Sequence, residues 1–356
     1  MSQNSFKNSS LRFLLIRTDR IGDTILTLPS VTAIRKEYPK AFIAFLSKPY
    51  TLPLIKQYSG IDLFLTYDPE GRHKGFRGIV KLIQELKELK FQTAVLFYPK
   101  VELAFAIRMA KIHVRIGTRY RWYSFLFTNH VYEHRKECKK HESEYNLGLI
   151  ENLISGEKIT PEYEFKPWIR TKAWEEFHKE IKFNDYAIVH PGSGNSAPNL
   201  TKKQYELIVD ILVNKTDWII LLTGISKEIK LVNELAKNFS NERIIAKAGS
   251  FSLSDFFSIV RNASLLVTSS TGPLHMANSS NTPVLSFFCP AKPHTPTRWG
   301  PYDQQNWAIT PNLSYPEICN LKKCPHGGCL QKLSESEIRE VLSKKRLKNL
   351  KISKKK

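Results

Sequence analysis

The chain has 356 residues, enough for two domains with a core each, and its 42% apolar and 24% charged content is that of a soluble globular protein. Lys and Arg number 54 against 33 Asp and Glu, a formal charge of +21 that predicts an anionic partner: nucleic acid, an anionic membrane surface or a phosphorylated substrate. No apolar run reaches the roughly 18 residues of a spanning helix. The polar start, Met1 to Ser10, followed by a short run, Leu11 to Ile16, broken by Arg12, is no secretory signal, so the expected place is the cytoplasm, with a membrane face as a further resting place.

Residues 12–17 read as a buried first strand, followed by a polar turn, Thr18-Asp-Arg-Ile-Gly-Asp23. A helix is expected from Thr24 to Tyr38, bent or restarted near Pro29, because proline removes a backbone donor. Then come a strand over 41–46, a helix near 51–58, a short strand over 62–66 and a loop over 67–75. Ile79, Leu82, Ile83, Leu86 and Leu89 have helical spacing within Arg77 to Lys90. A strand over 93–97, a helix over 101–111 and a strand over 114–117 continue an alternation typical of a doubly wound parallel sheet.

Residues 118–137 break that pattern, setting Arg119 and Arg121 among Tyr120, Trp122 and Tyr123. Basic groups interleaved with aromatics suit nucleic acid, sugar or a lipid headgroup, and equally a half-buried loop whose rings pack on its own domain. A helix over 141–154 precedes the polar, proline-containing span 155–167, read as a linker.

After a helix near 171–181 the alternation resumes. Its strands are expected over 186–190, 218–222, 243–246, 265–267 and 284–288, with helices over 201–214, after Ser226, over 253–262 and from Gly272. Three of its strand-to-helix turns are rich in Gly, Ser or Thr: Pro191-Gly-Ser-Gly-Asn-Ser196, Thr223-Gly224, and Thr268-Ser-Ser-Thr-Gly-Pro273. Ligands of open parallel sheets bind at the carboxyl ends of strands, where helix N-termini offer free N–H groups to an anion. The bland reading of the last turn is a helix capped by Ser or Thr.

Five cysteines leave an odd count. Cys319, Cys324 and Cys329 with His326 bring a zinc site to mind, but the C-x4-C-x4-C spacing lacks the usual C-x2-C knuckle, so a reduced thiol cluster is expected and no metal. Glu335 to about Leu350 starts as a helix capped by Ser334, and nine of the last eighteen residues are Lys or Arg, either a frayed tail or a contact with an anionic surface.

Leu14 to Ser30 (LLIRTDRIGDTILTLPS), His190-Pro-Gly-Ser-Gly194 and Ser269-Ser-Thr-Gly-Pro-Leu-His-Met-Ala277 together resemble glycosyltransferase family 9, the lipopolysaccharide heptosyltransferases. The order and separation of the three motifs also match, over roughly residues 11–340. The resemblance implies a GT-B fold, an α/β arrangement of two Rossmann-like domains with parallel sheets facing across a cleft. With the linker it divides the chain into an acceptor-side domain over 1–160, a nucleotide-sugar domain over 161–340 and a basic tail over 341–356. It further implies inverting, metal-independent transfer without a cofactor, from a nucleotide sugar, typically ADP-heptose, to a lipopolysaccharide core.

Such a transfer needs a general base for the acceptor hydroxyl. The family motif puts that role on Asp23, which otherwise reads as a helix cap, while Asp19 is expected to pair with Arg17, Arg20 or a basic neighbour. Without a metal, the leaving diphosphate must be met by helix N-termini, hydroxyls and cations. The candidates are Ser193, Gly194, Ser196, Ser270, Thr271, Gly272 and His275, the last also readable as a structural histidine. Arg17, Arg20, Arg119 and Arg121 are candidates for an anionic glycolipid acceptor. Two positions depart from the family. Pro198 stands where many members have Lys, with Lys202 or Lys203 as substitutes, and Ser270 stands where many have Asp, which leaves donor sugar and base open. Two other readings compete. One is a family member that binds sugar nucleotide without catalysis. The other is a nucleic-acid-binding protein, which rests on charge alone because no helix-turn-helix, zinc finger or RNA-binding motif is present, so no nucleic-acid partner is expected.

Overall fold

Apolar runs of four to six residues with few polar interruptions build two all-parallel sheets, as expected of strands covered on both faces. The computed structural model describes residues 11–155, 159–167, 171–182, 184–194, 198–303, 307–313, 328–343 and 347. Two units divide the chain, the first made of residues 1–135 with 142–167 and the second of 136–141 with 168–356.

The first unit holds β1 (Arg12–Ile16), β2 (Phe42–Ser47), β3 (Leu63–Thr66), β4 (Thr93–Leu96), β5 (Val114–Thr118) and β6 (Asn129–Val131), in the order β3-β2-β1-β4-β5-β6. The two-residue period of a strand sends Leu14 and Ile16 to one face and Phe13 and Leu15 to the other. One face is covered by α4 (Gly75–Glu88) and α5 (Val101–Met109). The other is covered by α2 (Pro29–Glu37), with α6 (Glu142–Gly148) packed on it.

The helix expected over 24–38 is two helices. α1 (Ile21–Ile25) begins three residues earlier, and α2 restarts with Pro29 at its first turn, where the missing N–H costs nothing. Asp23 therefore lies inside the first turn of α1, whose N-cap position is Arg20, so its reading as a cap does not hold. β6 falls in the stretch read as irregular; Asn-His-Val carries almost no apolar signal because it is an exposed edge strand. The helix near 51–58 is a 3-10 turn, Pro49–Thr51, running into the short α3 (Leu52–Ile55). The span read as a linker is anchored where it is described: Phe165 bridges Tyr58 edge to face, and Ser59 N donates to Glu164 O.

The second unit repeats the design. α7 (Lys172–Glu180) precedes β7 (Tyr186–His190), α8 (Lys202–Lys215), β8 (Ile219–Leu222), α9 (Ile229–Ala236), β9 (Ile244–Ala246) and α10 (Leu253–Asn262). β10 (Leu265–Ser269), α11 (Gly272–Ser279), β11 (Val284–Phe287), α12 (Pro296–Trp299), β12 (Ala308–Ile309) and α13 (Glu335–Val341) follow. The order is β12-β11-β10-β7-β8-β9. Counted from its own first strand, this is the same order as in the first unit. In both, the connection reverses direction beside the first strand, between β1 and β4 and between β7 and β10. In open parallel sheets ligands bind at that reversal, outside the strands' carboxyl ends. Ser334 caps α13 as expected, with Glu337 completing a capping box. Most of the basic tail lies outside the described residues. No helix among the described residues is long and apolar enough to cross a membrane.

Candidate active site

Immediately after β1, Arg17 is buried, only 2% exposed, and its guanidinium gathers a cluster of acids. Nε and Nη2 donate to the two oxygens of Asp19 at 2.7 and 2.8 Å, and Nη2 donates to Asp23 Oδ1 at 2.7 Å. Nη1 reaches Asn146 Oδ1 at 3.1 Å and Glu142 Oε1 at 3.5 Å, both from α6. Arg135 also pairs with Glu142. Burial alone would lower the pKa of Arg17, but Asp19, Asp23 and Glu142 more than reverse this and hold it charged. Arg17 thus faces inward and positions carboxylates. Asp19 forms the expected pair with it, and Asp23, with a side chain 17% exposed, is the more accessible acid of the three.

Tyr50 belongs to the same group, although nothing in its sequence context singled it out. Its hydroxyl donates to Asp19 O at 2.9 Å. Its pKa is pushed up to about 12, first by burial and then by Asp19 and Asp23. Arg20 is exposed at the start of α1, and Arg119 and Arg121 are exposed just after β5 on the same strand-end edge.

At the second reversal, β7 ends in His190, buried, with Nδ1 at 2.9 Å from Thr223 Oγ1 at the end of β8. Burial pushes His190 down to about 4, only partly opposed by Glu228, so it is neutral at pH 7. The glycine turn follows. Gly194 has φ +52°, a left-handed conformation that suits glycine. A Cβ on Gly192 would lie 2.0 Å from Glu228 Oε2. Glu228 accepts from Gly194 N at 3.3 Å and from Ile225 N at 2.9 Å. The N–H of Gly194, a candidate phosphate donor, is thus taken by a carboxylate of the chain itself. Ser193 is half-buried in this turn, and Ser196 lies outside the described residues.

Across the reversal, β10 delivers Ser269, Ser270 and Thr271 to the start of α11. Thr271 stands at the N-cap position, yet its side chain does not cap the helix. Its hydroxyl turns inward to Thr268 Oγ1 at 3.0 Å, and Thr268 Oγ1 donates to His190 O at 3.2 Å. Thr271 therefore does not cap α11 with its side chain. Gly272 opens the helix without a side chain. His275 is buried in the second half-turn, its ring 6.3 Å from that of Trp299 in α12.

A buried polar knot ties the two turns together. Asn199 Oδ1 accepts from Ser269 Oγ at 2.6 Å, Tyr205 OH at 2.8 Å and Leu200 N at 2.9 Å, while Asn199 Nδ2 donates to Pro191 O at 2.7 Å. Nothing in the sequence marks Asn199 and Tyr205, because Asn199 and its partner Ser269 are 70 residues apart and meet only where β7 and β10 lie side by side. Lys202, a proposed substitute for the displaced lysine, pairs with Glu234 at 3.6 Å and Glu206 at 3.9 Å. Cys329 is buried in the second core and hydrogen-bonds with Cys289; Cys319, Cys324 and His326 lie outside the described residues.

Two Rossmann-like units, one carrying an acid cluster and the other an uncapped helix N-terminus beside a glycine turn, define the GT-B class of glycosyltransferases. Residues 79–328 match the profile of Glycosyltransferase family 9 (heptosyltransferase), and the chain belongs to that family. It is 22% identical over 276 residues to lipopolysaccharide heptosyltransferase 3 of Escherichia coli, covering 75% of this chain and 80% of that one. The fold is that of the family 9 glycosyl transferase from Veillonella parvula, at TM-score 0.78, 19% identity and 97% of both chains. It is also that of E. coli ADP-heptose lps heptosyltransferase II, at TM-score 0.74, 16% identity, 97% of this chain and 100% of that one.

Proposed function

We propose that this glycosyltransferase transfers a heptose or related sugar, with inversion and without a metal, from an ADP-sugar to the anionic core of a lipopolysaccharide-type glycolipid. The observation that carries the reading is the second reversal: an uncapped start of α11 at Thr271 and Gly272, beside the 191–194 turn. Backbone N–H groups and the partial positive charge of a helix start can meet the leaving diphosphate where no cation is supplied. Ser193 and Ser270 add hydroxyls, Thr271 and Gly272 their backbone N–H groups, and His275 or Ser196 would complete the shell. With Gly194 N–H taken by Glu228, most of the phosphate contact falls to α11. Glu228, after the second strand of its sheet, stands where Rossmann folds keep an acid for ribose hydroxyls, and we assign it that role.

In the first unit Asp23 takes the proton of the acceptor hydroxyl as that oxygen attacks the anomeric carbon. The C–O bond to the diphosphate breaks on the opposite side, and the diphosphate leaves with the electron pair. Arg17 orients Asp23, and Arg20, Arg119 and Arg121 meet acceptor phosphates. The names of the relatives, which include ADP-heptose and lipopolysaccharide, support the substrate classes. Ser270, where many members carry Asp, makes the sugar the least secure element of specificity, and the hydroxyls around it hold phosphate whatever the sugar.

Calorimetry against ADP, UDP, GDP and CDP tests the donor reading, with ADP expected to bind most tightly. No nucleotide binding together with tight, sequence-independent DNA binding would favour the nucleic-acid reading instead. Turnover is expected to be unchanged in EDTA; its loss there would overturn metal independence. Nucleotide binding without any transfer would identify a non-catalytic member.

A further inference from the structure

We infer that the outward face of α5 and the 120–125 segment of the first unit docks on an anionic lipid bilayer. This does not depend on the donor or acceptor assigned above. Val101, Phe105 and Met109 lie four residues apart on α5 and form one stripe, 39–44% exposed, while Leu103, Ala104, Ala106 and Ile107 face the core. Trp122 is 78% exposed and Phe125 66% exposed, their rings 6.5 Å apart. The residues between and after them point inward: Tyr123, Leu126 and Phe127 share a core cluster with Leu103, Ala106 and Ile107. Gly117 leaves room for that anchor, since a Cβ there would lie 2.5 Å from the Phe127 ring. The segment is thus pinned from below and presents an indole and a phenyl ring beside the apolar stripe of α5.

Single exposed apolar residues need no explanation, but five grouped in one place do. Their surroundings indicate the occupant. Between Tyr98 and Thr128 the chain carries six Lys or Arg and one acid, Glu102. Glu102 is matched by Lys100 at 3.5 Å. Arg115 is committed inward, to Leu126 O, Ile112 O and His113 O. Arg108, Lys111, Arg119 and Arg121 remain exposed, and none forms an ion pair among the described residues. An apolar tip with a cationic rim matches the interface of an anionic bilayer. Rings and aliphatic groups enter the headgroup–acyl boundary, and long basic side chains stay at the phosphates. A second copy docked on the same patch would bring like charges face to face. Nucleic acid would satisfy the cations and could stack on the two rings, but it offers nothing to Val101 and Met109.

Co-sedimentation of the full chain with phosphatidylcholine vesicles, with and without phosphatidylglycerol, tests this. Binding is expected only with phosphatidylglycerol and should weaken as salt rises. Trp122→Ala with Phe125→Ala should reduce it by about tenfold or more. Arg108→Gln with Lys111→Gln should reduce it by about fivefold per charge lost. All four side chains are exposed, so unchanged melting curves establish that these variants fold. Lys179→Gln with Lys237→Gln removes the same charge from exposed positions of the second unit and should leave binding unchanged. An equal loss in that control would reduce the effect to net charge and overturn the inference. So would full binding by the aromatic double variant, absence of binding by the native chain, or a self-associated native chain that the aromatic variant makes monomeric without either binding vesicles.

Discussion

Three acids share Arg17, and the proposed chemistry requires that they fail differently. Asp23→Asn keeps the volume and removes the proton acceptor. Arg17 would still hold both oxygens of Asp19 and reach Asn146 and Glu142, so the stability cost is one charged hydrogen bond at a side chain 17% exposed, about 1.5–3 kcal/mol at most. Turnover should fall about a hundredfold or more, because a general base is lost, while ADP affinity stays nearly intact. Asp19→Asn leaves one oxygen to accept where two accepted at 2.7 and 2.8 Å, sets an amide N–H against the guanidinium and should cost about 3 kcal/mol, with a smaller effect on turnover through the aim of Arg17. Glu142→Gln weakens a carboxylate 1% exposed that serves both Arg17 and Arg135, and should cost the most stability, about 3–5 kcal/mol. Urea denaturation and turnover at saturating substrate, measured on all three, should give opposite rankings. Turnover by Asp23→Asn within a few-fold of the native enzyme, or losses of turnover that simply follow losses of stability, would refute the assignment.

Other consequences are open to measurement. His190 sits near 4 in the fold against an ordinary value of about 6.5, so the unfolded chain binds its proton first as pH drops. Its contribution is complete above pH 6.5 and is lost as pH falls towards 4, about 3 kcal/mol in all; His190→Gln should flatten that part of the pH–stability curve, and an unchanged slope would count against a buried neutral imidazole. Gly192→Ala must push the Glu228 carboxylate aside, so calorimetry should show ADP affinity about tenfold weaker with little change in melting temperature. Asn199→Ala leaves Tyr205 and Ser269 without their common acceptor; it should cost about 2–3 kcal/mol in denaturation and weaken ADP binding, since it also frees the 191–194 turn.

What could be read without coordinates was local. Strands such as Leu265–Ser269 and turns such as 191–194 declare themselves by composition, and the alternation fixes an α/β class. Two of the four edge strands were invisible: β6 and β12 are three and two residues long, and Asn-His-Val and Ala-Ile carry too little apolar signal to show a period. The break at Pro29 was legible as a proline effect, but the early start of α1 was not, because Ile21-Gly22 resembles turn more than helix. The motif residues stand out in the sequence, whereas Tyr50, Asn199, Tyr205 and Glu228 do not. Each acts on a partner 20 or more residues away, and only the strand order brings them together. The reading of Arg17 as an acceptor contact ran against burial, since a guanidinium that completes four side-chain contacts has little left to offer a ligand.

Both sheets have the same strand order, yet their reversals are built for opposite charges. The first strand of one ends in a buried arginine, which collects carboxylates; the first strand of the other ends in a neutral histidine and a glycine turn, beside the start of α11 that the Thr271 side chain does not cap. The inverting transfer proposed above gives a reason for keeping the two separate. Its base is an anion and so is its leaving group, and two unit charges 4 Å apart cost about 4 kcal/mol even at an effective dielectric of 20. A single reversal carrying both would repel its own donor. Under that proposal two copies of one fold give the acid and the diphosphate separate binding shells, and what distinguishes the copies is a handful of residues after the first strand of each: Arg17, Asp19 and Asp23 in one, Gly192, Ser193 and Gly194 in the other.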